Sequence, residues 1–237
     1  MKFNINVVFY LLIPVTIFSQ NNSSNNYKEF DKIVGTINND LSQGIRFVDD
    51  FNRTYSKNDF RFFKSNVYTT AFLQYNGQPF FDANIKYDLL EDQIVFRNNT
   101  EDKSFEIILS SLHIDAFKIY GSTFLRLPHK ASKFSFYNNG FFEQLYKGQN
   151  FNLFLKHQKN IKKRLVDKTV LYEFLESEIL LLEYDTEYYQ LTSKNDIIDV
   201  LPQEKSKIKS FYKKNKILKV RDSKAFMISL FSHLDTE

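Results

Sequence analysis

The sequence predicts an α+β fold that is mainly β, with an antiparallel sheet curled as a sandwich or half-barrel and with C-terminal helices. Apolar and polar residues alternate with a period of two along much of residues 65–192. Turn signals recur roughly every 8–15 residues in the same region, as in antiparallel sheets. Long helices alternating with strands, which a parallel α/β fold needs, are absent from the pattern.

The N-terminal segment is predicted to be a secretory signal peptide covering residues 1–19. A short basic stretch, Met1 to Asn4, precedes the 12-residue apolar run Val7 to Phe18. A helix that spans the ~30 Å of membrane hydrocarbon needs about 20 residues, so a signal peptide is favoured over the alternative of a membrane anchor. Ser19 is the small residue expected before the cleavage site, and residues 20–26 form a polar linker.

Residues 27–64 are predicted to be irregular or to form short helices. Apolar residues recur there at helical spacing, but Gly35 and Gly44 interrupt the run. Residues 65–192 are assigned to the antiparallel β domain. Residues 193–237 are assigned to helices that pack on the same domain.

The strongest local signal is a hairpin centred on Asn76-Gly77, because this dipeptide supplies the positive φ angles that a two-residue turn needs. The strand after it alternates: Phe81, Ala83, Ile85, Tyr87 and Leu89 face the core, and Asp82, Asn84, Lys86 and Asp88 face water. On this interpretation Lys86→Asp is nearly neutral for folding, whereas Tyr87→Asp unfolds the domain.

The remaining strands are predicted from the same signals. A second hairpin turn is expected at Asn138-Asn139-Gly140, after a strand containing Phe134 and Phe136. The other predicted strands contain Ile94 to Phe96, Phe105 to Leu109, Thr123 to Leu127, Phe141 to Tyr146, Phe151 to Leu155, Val170 to Phe174, Ile179 to Tyr184 and Tyr188 to Leu191.

Three C-terminal helices are predicted. Ser193 and Asp196 have the spacing of a capping box opening a helix over 194–200. Pro202 suits the first turn of a second helix, which runs to Lys214 and ends with Asn215 in the left-handed conformation. Ser223 is expected to cap the last helix.

Several chemistries are excluded or unsupported by the sequence. The 237 residues contain no Cys, which excludes disulfides, thiolate metal sites and cysteine nucleophiles. No Gly-rich phosphate loop, G-x-S-x-G or H-E-x-x-H motif is present. The sequence therefore favours a protein without a cofactor and, on balance, without enzymatic activity.

If the protein is an enzyme, metal-dependent catalysis is the alternative with the most support, and His113 and Asp115 are the candidate metal ligands. Two residues apart on a strand, they share a face and could contact one metal ion. A site needs further ligands, for which His129 or His157 are available. The alternative is a pair of ordinary surface residues, and Lys156-His157 is interpreted as a solvated strand tip.

The charged residues are unusual in being arranged in blocks of one sign along the chain, whose formal net charge is +4. Residues 153–170 carry net +5, residues 173–199 net −7 and residues 203–224 net +7. Within the last block, Lys205, Lys209, Lys213 and Lys216 crowd one helical face. Either the blocks neutralise one another and this face is merely solvated, or it binds an envelope protein or an anionic lipid or polysaccharide. Nucleic acid is not expected as a partner.

A resemblance supports export. The resemblance begins with the stretches Lys86 to Val95 (KYD…D…V) and Gly140 to Gly148 (GFFE-x-LY-x-G). They are followed by Tyr188-Tyr189, Ser193-Lys194 and Lys205 to Lys216, and in this order the stretches are similar to an uncharacterised family of secreted β-rich proteins of Gram-negative bacteria. The resemblance covers most of residues 65–234. It implies export, a β-rich fold and C-terminal helices, and it implies no activity or catalytic residues.

The function predicted from these features is an exported, non-enzymatic interaction module of the bacterial cell envelope. Its expected location is the periplasm, the outer membrane or the extracellular side, and the processed chain is not expected to cross the membrane. Two alternatives remain: a carrier of an apolar ligand in a half-barrel pocket, and a metal-dependent hydrolase.

Overall fold

The computed structural model describes residues 41, 43–51, 53–54, 59–99 and 104–236, and it confirms the predicted fold class. Of the described residues, 47% lie in strands and 26% in helices, so the protein is mainly β. The strands form one curled antiparallel sheet that does not close into a barrel. The predicted signal peptide and polar linker lie outside the described residues.

The sheet has eleven strands in the order β1-β5-β4-β3-β2-β6-β7-β8-β9-β10-β11. Two meanders therefore run in opposite directions from the central pair β2 and β6, and β1 pairs with β5. The strands are β1 (Ile45–Arg46), β2 (Thr69–Tyr75), β3 (Gln78–Asp88), β4 (Gln93–Asn99), β5 (Ser104–Ile108), β6 (Ile114–Ile119), β7 (Ser122–Arg126), β8 (Phe141–Lys147), β9 (Phe151–Val166), β10 (Thr169–Tyr184) and β11 (Glu187–Leu191).

The hairpin at Asn76-Gly77 is confirmed: both residues have positive φ, 51° and 72°, and join β2 to β3. The predicted alternation on β3 is partly wrong. The register between β2 and β3 shifts next to Ala71, so Phe80 is buried in place of Phe81. A bulge adds one residue to a strand and reverses the faces of the residues beyond it.

The predicted second hairpin is wrong. Phe134 and Phe136 do not lie in a strand; they follow the short 3-10 helix His129–Lys133 in the long connection from β7 to β8. Their rings stack on each other, with centroids 5.1 Å apart, and Phe136 contacts the edge of Phe142 on β8. The connection thus covers a hydrophobic face of the sheet instead of extending it.

One hairpin is much longer than the sequence indicates. β9 and β10 have 16 residues each and pair along their full length from a turn at Asp167-Lys168, where both φ angles are positive. The segments Val170 to Phe174 and Ile179 to Tyr184, predicted as two strands, are parts of the single strand β10.

Four helices follow the sheet: α1 (Lys194–Val200), α2 (Lys205–Lys214), α3 (Lys216–Arg221) and α4 (Ser223–Asp235). The capping box of Ser193 and Asp196 is confirmed. Two predictions are wrong: Asn215 has φ −108° and is not left-handed, and the cap of α4 is Asp222, whose carboxylate accepts a hydrogen bond from the Ala225 amide. The sequence did not predict α3.

The hydrophobic core divides into clusters on the sheet. Aromatic rings pack tightly in the largest cluster, where Phe117 stacks on Phe124 at 4.8 Å and Tyr87 contacts both rings at 5.1 Å. A second cluster joins β9, β10 and β11 to the helices, with Phe231 of α4 packing on Phe151 at 5.6 Å. The helices are therefore held against the sheet by apolar contacts, and their other faces point outward.

Candidate functional site

The four lysines predicted as a binding face, Lys205, Lys209, Lys213 and Lys216, are all exposed, and we call them the basic face. Helix α2 buries Ile208 and packs Phe211 and Tyr212 against Phe226 of α4, at ring distances of 5.4 and 4.8 Å. Since side chains four apart lie on the same side of a helix, this packing directs the lysines of α2 to solvent.

The positive charge around the basic face is not neutralised locally. Seven basic residues of the block 203–224 are exposed: Lys205, Lys209, Lys213, Lys214, Lys216, Lys219 and Arg221. Of the two acids in the block, Glu204 pairs with Lys207 at 3.2 Å and Asp222 caps α4. In the part of the chain that the structure describes, no ion pair joins the basic face to an acidic side chain.

Two large apolar side chains stand among these charges. Ile217 and Val220 of α3 are 83% and 89% exposed, the two highest values among the large apolar residues that the structure describes. They are three residues apart and therefore share one side of the helix. Lys216 and Lys219 flank them, so α3 presents an apolar pair within a cationic surface.

The basic block of residues 153–170 behaves differently, because it pairs with the acidic block across the β9–β10 hairpin. Arg164 contacts Glu173 at 2.6 Å, and Lys159 lies 3.8 Å from Glu176. Mutual neutralisation, one of the two interpretations of the charge blocks, therefore describes this hairpin. It does not describe the basic face of α2 and α3.

The metal candidates His113 and Asp115 do not share a strand as assumed. His113 ends the 3-10 helix Ser111–His113 and packs on Tyr75 at 5.7 Å, whereas Asp115 lies on β6. Asp115 and His129 both line a pocket of about 320 Å³ beside Arg126. Among the described residues, neither His113 nor Asp115 belongs to a cluster of three potential metal ligands.

The structure instead gathers polar groups around His157, which was predicted to sit at a solvated tip. That prediction is wrong: Lys156 and His157 are 0% and 2% exposed. His157 Nε2 lies 2.7 Å from Glu143 of β8, and Nδ1 lies 3.3 Å from Glu178 and 3.9 Å from Glu176 of β10. We call His157, Glu143, Glu176 and Glu178 the histidine cluster.

Lys224 links the histidine cluster to helix α4. Its Nζ lies 3.0 Å from Glu178 and 3.6 Å from Glu143. Burial by itself raises the pKa of Glu143, but hydrogen bonds from His157 and Ser122 and the charge of Lys224 lower the pKa to about 2. Glu143 is therefore ionised at neutral pH, and Glu178 and Lys224 also border a pocket of about 370 Å³ between β10, β11 and α4.

Sequence reasoning missed the histidine cluster because it did not identify the turn that aligns its members. The signal was present: Asp167-Lys168 is a plausible two-residue turn, and counting outward from it pairs His157 with Glu178 and Lys159 with Glu176. Residues opposite each other in an antiparallel pair project from the same face.

Comparison with known proteins adds no functional information. No family model, no curated protein and no solved structure matches the chain. The resemblance to secreted β-rich proteins of Gram-negative bacteria stays a prediction. The candidate sites are thus defined by geometry and charge alone.

Proposed function

We propose that this protein is an exported interaction module of the bacterial cell envelope that docks on an anionic lipid surface through its basic face. The observation that carries the proposal is the exposure of the basic face together with Ile217 and Val220 on adjacent helices. Cationic side chains beside exposed apolar ones are the composition with which helices bind the membrane interface.

The energetics favour reversible, salt-dependent docking. Each Lys or Arg near an anionic membrane surface contributes about 1 kcal/mol, and this attraction is screened within a Debye length of about 8–10 Å. Insertion of Ile217 and Val220 into the interface adds the apolar area that these side chains now expose to water. Among the described residues, no helix is both long and apolar enough to cross a bilayer.

The carrier alternative has weaker support than docking. Its sequence argument was the large number of Phe residues. Those of the largest core cluster pack against one another, with the rings of Phe117 and Phe141 5.4 Å apart and those of Phe117 and Phe124 4.8 Å apart. The hydrolase alternative relied on His113 and Asp115, which belong to no described cluster of metal ligands.

The experiment is vesicle flotation of the purified protein. We expect binding to phosphatidylglycerol-containing vesicles at low salt, little binding to pure phosphatidylcholine, and release at 0.5 M NaCl. Lys205→Glu with Lys209→Glu reverses two charges of the basic face and should weaken binding at least about tenfold, since four unit charges are lost from the attraction.

The matched control is Lys118→Glu with Lys147→Glu, which changes the net charge equally at exposed positions on β6 and β8. This control should bind vesicles nearly as well as the unmodified protein. A second variant, Ile217→Ser with Val220→Ser, should weaken binding at both salt concentrations. An equal loss of vesicle binding in the control variant, or no preference for anionic vesicles, would contradict the proposal. If the basic face instead binds a protein in a salt-sensitive way and does not bind vesicles, lipid docking is wrong and protein docking replaces it.

A further inference from the structure

The histidine cluster brings three potential metal ligands to one point. His157 Nδ1, one oxygen of Glu176 and one oxygen of Glu178 lie within 4.8 Å of one another. His157 comes from β9, and the two glutamates come from the facing strand β10, where Glu178 is its direct partner. The hairpin backbone therefore holds all three on one face of the sheet.

The contact of His157 Nε2 with Glu143 determines which tautomer the neutral ring adopts. Glu143 is an ionised carboxylate and can only accept, so Nε2, 2.7 Å away, donates its hydrogen to Glu143. In the neutral ring this leaves a lone pair on Nδ1. That atom is buried and has no hydrogen-bond partner among the described residues, and it faces Glu176 and Glu178.

A lone pair facing two carboxylates is electrostatically unfavourable, and a cation between them, either a proton on Nδ1 or a metal ion, relieves the repulsion. Because a ring nitrogen binds a metal ion only in its deprotonated form, the proton and the metal ion compete for this position. Two ligand atoms about 2.0–2.2 Å from a tetrahedral Zn²⁺ are roughly 3.4 Å apart. The separation of His157 Nδ1 and Glu178 Oε1 is 3.3 Å, although the geometry there does not make a hydrogen bond. We infer that His157, Glu176 and Glu178 form a divalent-metal site suited to Zn²⁺.

The surroundings of the site have the features of a metal site. Metal-binding histidines almost always donate their other N–H to a carboxylate or carbonyl, and Glu143 accepts from Nε2. One imidazole and two carboxylates match Zn²⁺ better than Mg²⁺ or Ca²⁺, which prefer oxygen ligands. Glu176 and Glu178 are 49% and 39% exposed, so water can complete the coordination.

Lys224 is the competitor for the site. Its ammonium group contacts both Glu178 and Glu143, and the side chain is 37% exposed, so it can swing into solvent when a metal ion enters. Lys159 stays in place because it donates to the carbonyls of Phe60 and Phe62 at 2.8 and 3.3 Å. Metal binding thus replaces one ammonium charge by a divalent cation.

The test is calorimetric titration of ZnCl₂ into the EDTA-treated and desalted protein. We expect one tight site, with affinity lowered at least about tenfold by Glu178→Gln and by Glu176→Gln. Lys224→Met removes the competitor and should tighten binding about threefold or more, a result that no loss of folding can imitate. Glu173→Gln is the matched control on β10, because Glu173 pairs with Arg164 outside the cluster, and it should bind like the unmodified protein.

Thermal unfolding gives an independent readout. Zn²⁺ should raise the melting temperature of the unmodified protein and of Glu173→Gln, and at the same concentration should raise that of Glu178→Gln much less. Absence of a stoichiometric site would overturn the inference. So would equal Zn²⁺ affinity in Glu173→Gln and Glu178→Gln, or Lys224→Met binding no tighter than the unmodified protein.

Discussion

Three consecutive residues of β3, Lys86, Tyr87 and Asp88, are all buried. A strand with one wet face would expose Lys86 and Asp88. Here residues 59–68 cover that face: the rings of Phe62 and Tyr68 lie 4.1 and 4.3 Å from Lys86 Nζ, and Arg61 pairs with Asp88. Burial lowers the pKa of Lys86 from its ordinary value.

The structure therefore reverses the sequence-based expectation for Lys86→Asp. The substitution places a carboxylate in a buried site that is influenced by Glu106, Asp49 and Asp88, and removes a cation from two aromatic rings. We expect a loss of roughly 3 kcal/mol in the free energy of unfolding, measured in urea. Lys118→Asp, at an exposed position on β6, should change it by less than about 0.5 kcal/mol.

Lys156 and Asp92 form a fully buried ion pair, 2.5 Å apart, that joins β9 to the β3–β4 turn. Tyr87 donates to Asp92 at 2.6 Å and the Asn139 amide donates at 2.9 Å. Burial raises the pKa of Asp92 and lowers that of Lys156, and the pairing of the two groups opposes both changes.

Removing only one partner of this pair should be costly. Lys156→Met leaves Asp92 buried without its cation, so we expect the free energy of unfolding to fall by about 3–5 kcal/mol. Lys156→Met combined with Asp92→Asn should recover a substantial part of the loss. Urea denaturation measures the free energy of unfolding of both variants. If the value for Lys156→Met lies within about 1 kcal/mol of that of the unmodified protein, the expected cost of leaving Asp92 unpaired is wrong.

Glu143 makes the free energy of unfolding depend on pH in the acidic range. Its pKa in the folded protein is about 2, below the ordinary value of 4.5, so it stabilises the fold fully above about pH 5. This contribution, roughly 3 kcal/mol for such a shift, should be lost as the pH falls from 5 to 2. In urea denaturation with EDTA, the free energy of unfolding should decrease less between pH 5.5 and pH 3 for Glu143→Gln than for the unmodified protein. Equal decreases in the two proteins would assign the acid sensitivity to other groups.

At the level of secondary structure, the β9–β10 hairpin shows why hydrophobic periodicity did not predict the full length of its two strands. Residues 159–168 contain Lys159, Lys162, Lys163, Arg164 and Lys168, and most of the side chains there are exposed. Leu165 is 74% exposed, so even an apolar residue does not mark a buried face. Strands whose side chains are mostly exposed show little alternation, so the cross-strand pairs carry more of the signal.

The last helix is tied to the sheet through a tight contact at Gly148, in the turn between β8 and β9. Asp235 at the end of α4 accepts hydrogen bonds from Tyr146 and from the amides of Gln149 and Asn150 at 2.8–2.9 Å. A Cβ at Gly148 would collide with the Asp235 carboxylate. Position 148 therefore requires glycine because of a neighbour 87 residues away in the sequence.

Gly148→Ala should displace Asp235 and destabilise the protein by about 1–3 kcal/mol, as overpacking does. Gly77→Ala is an informative comparison: it meets no atom within 4 Å but has a positive φ of 72°, so its cost is backbone strain of about 1 kcal/mol. If Asp235→Ala is already made, Gly148→Ala should cost less than it does alone, because only the contact of 2.7 Å with the Tyr146 ring then remains. Additive losses in the double variant would contradict this account.

For the molecule as a unit, the proposal includes export and removal of residues 1–19. The basic stretch, the 12-residue apolar run and Ser19 predict a mature chain that begins at Gln20. Mass spectrometry of protein isolated from the producing cells should therefore find an N-terminal peptide starting at Gln20. An intact Met1 would refute processing, and lipid docking would then need to be tested on the unprocessed chain.

The sequence alone determined the fold class, the hairpin at Asn76-Gly77, most strand positions and the capping box of α1, because these depend on local alternation and turn conformation. Only the tertiary structure decided which polar residues are buried. Lys156 meets Asp92 from 64 residues away, and Tyr146 meets Asp235 from 89. Local periodicity carries no information on such partners, since a buried charge is defined by the segments that fold over it. The histidine cluster likewise exists only because the β9–β10 register brings Glu176 and Glu178 opposite Lys159 and His157.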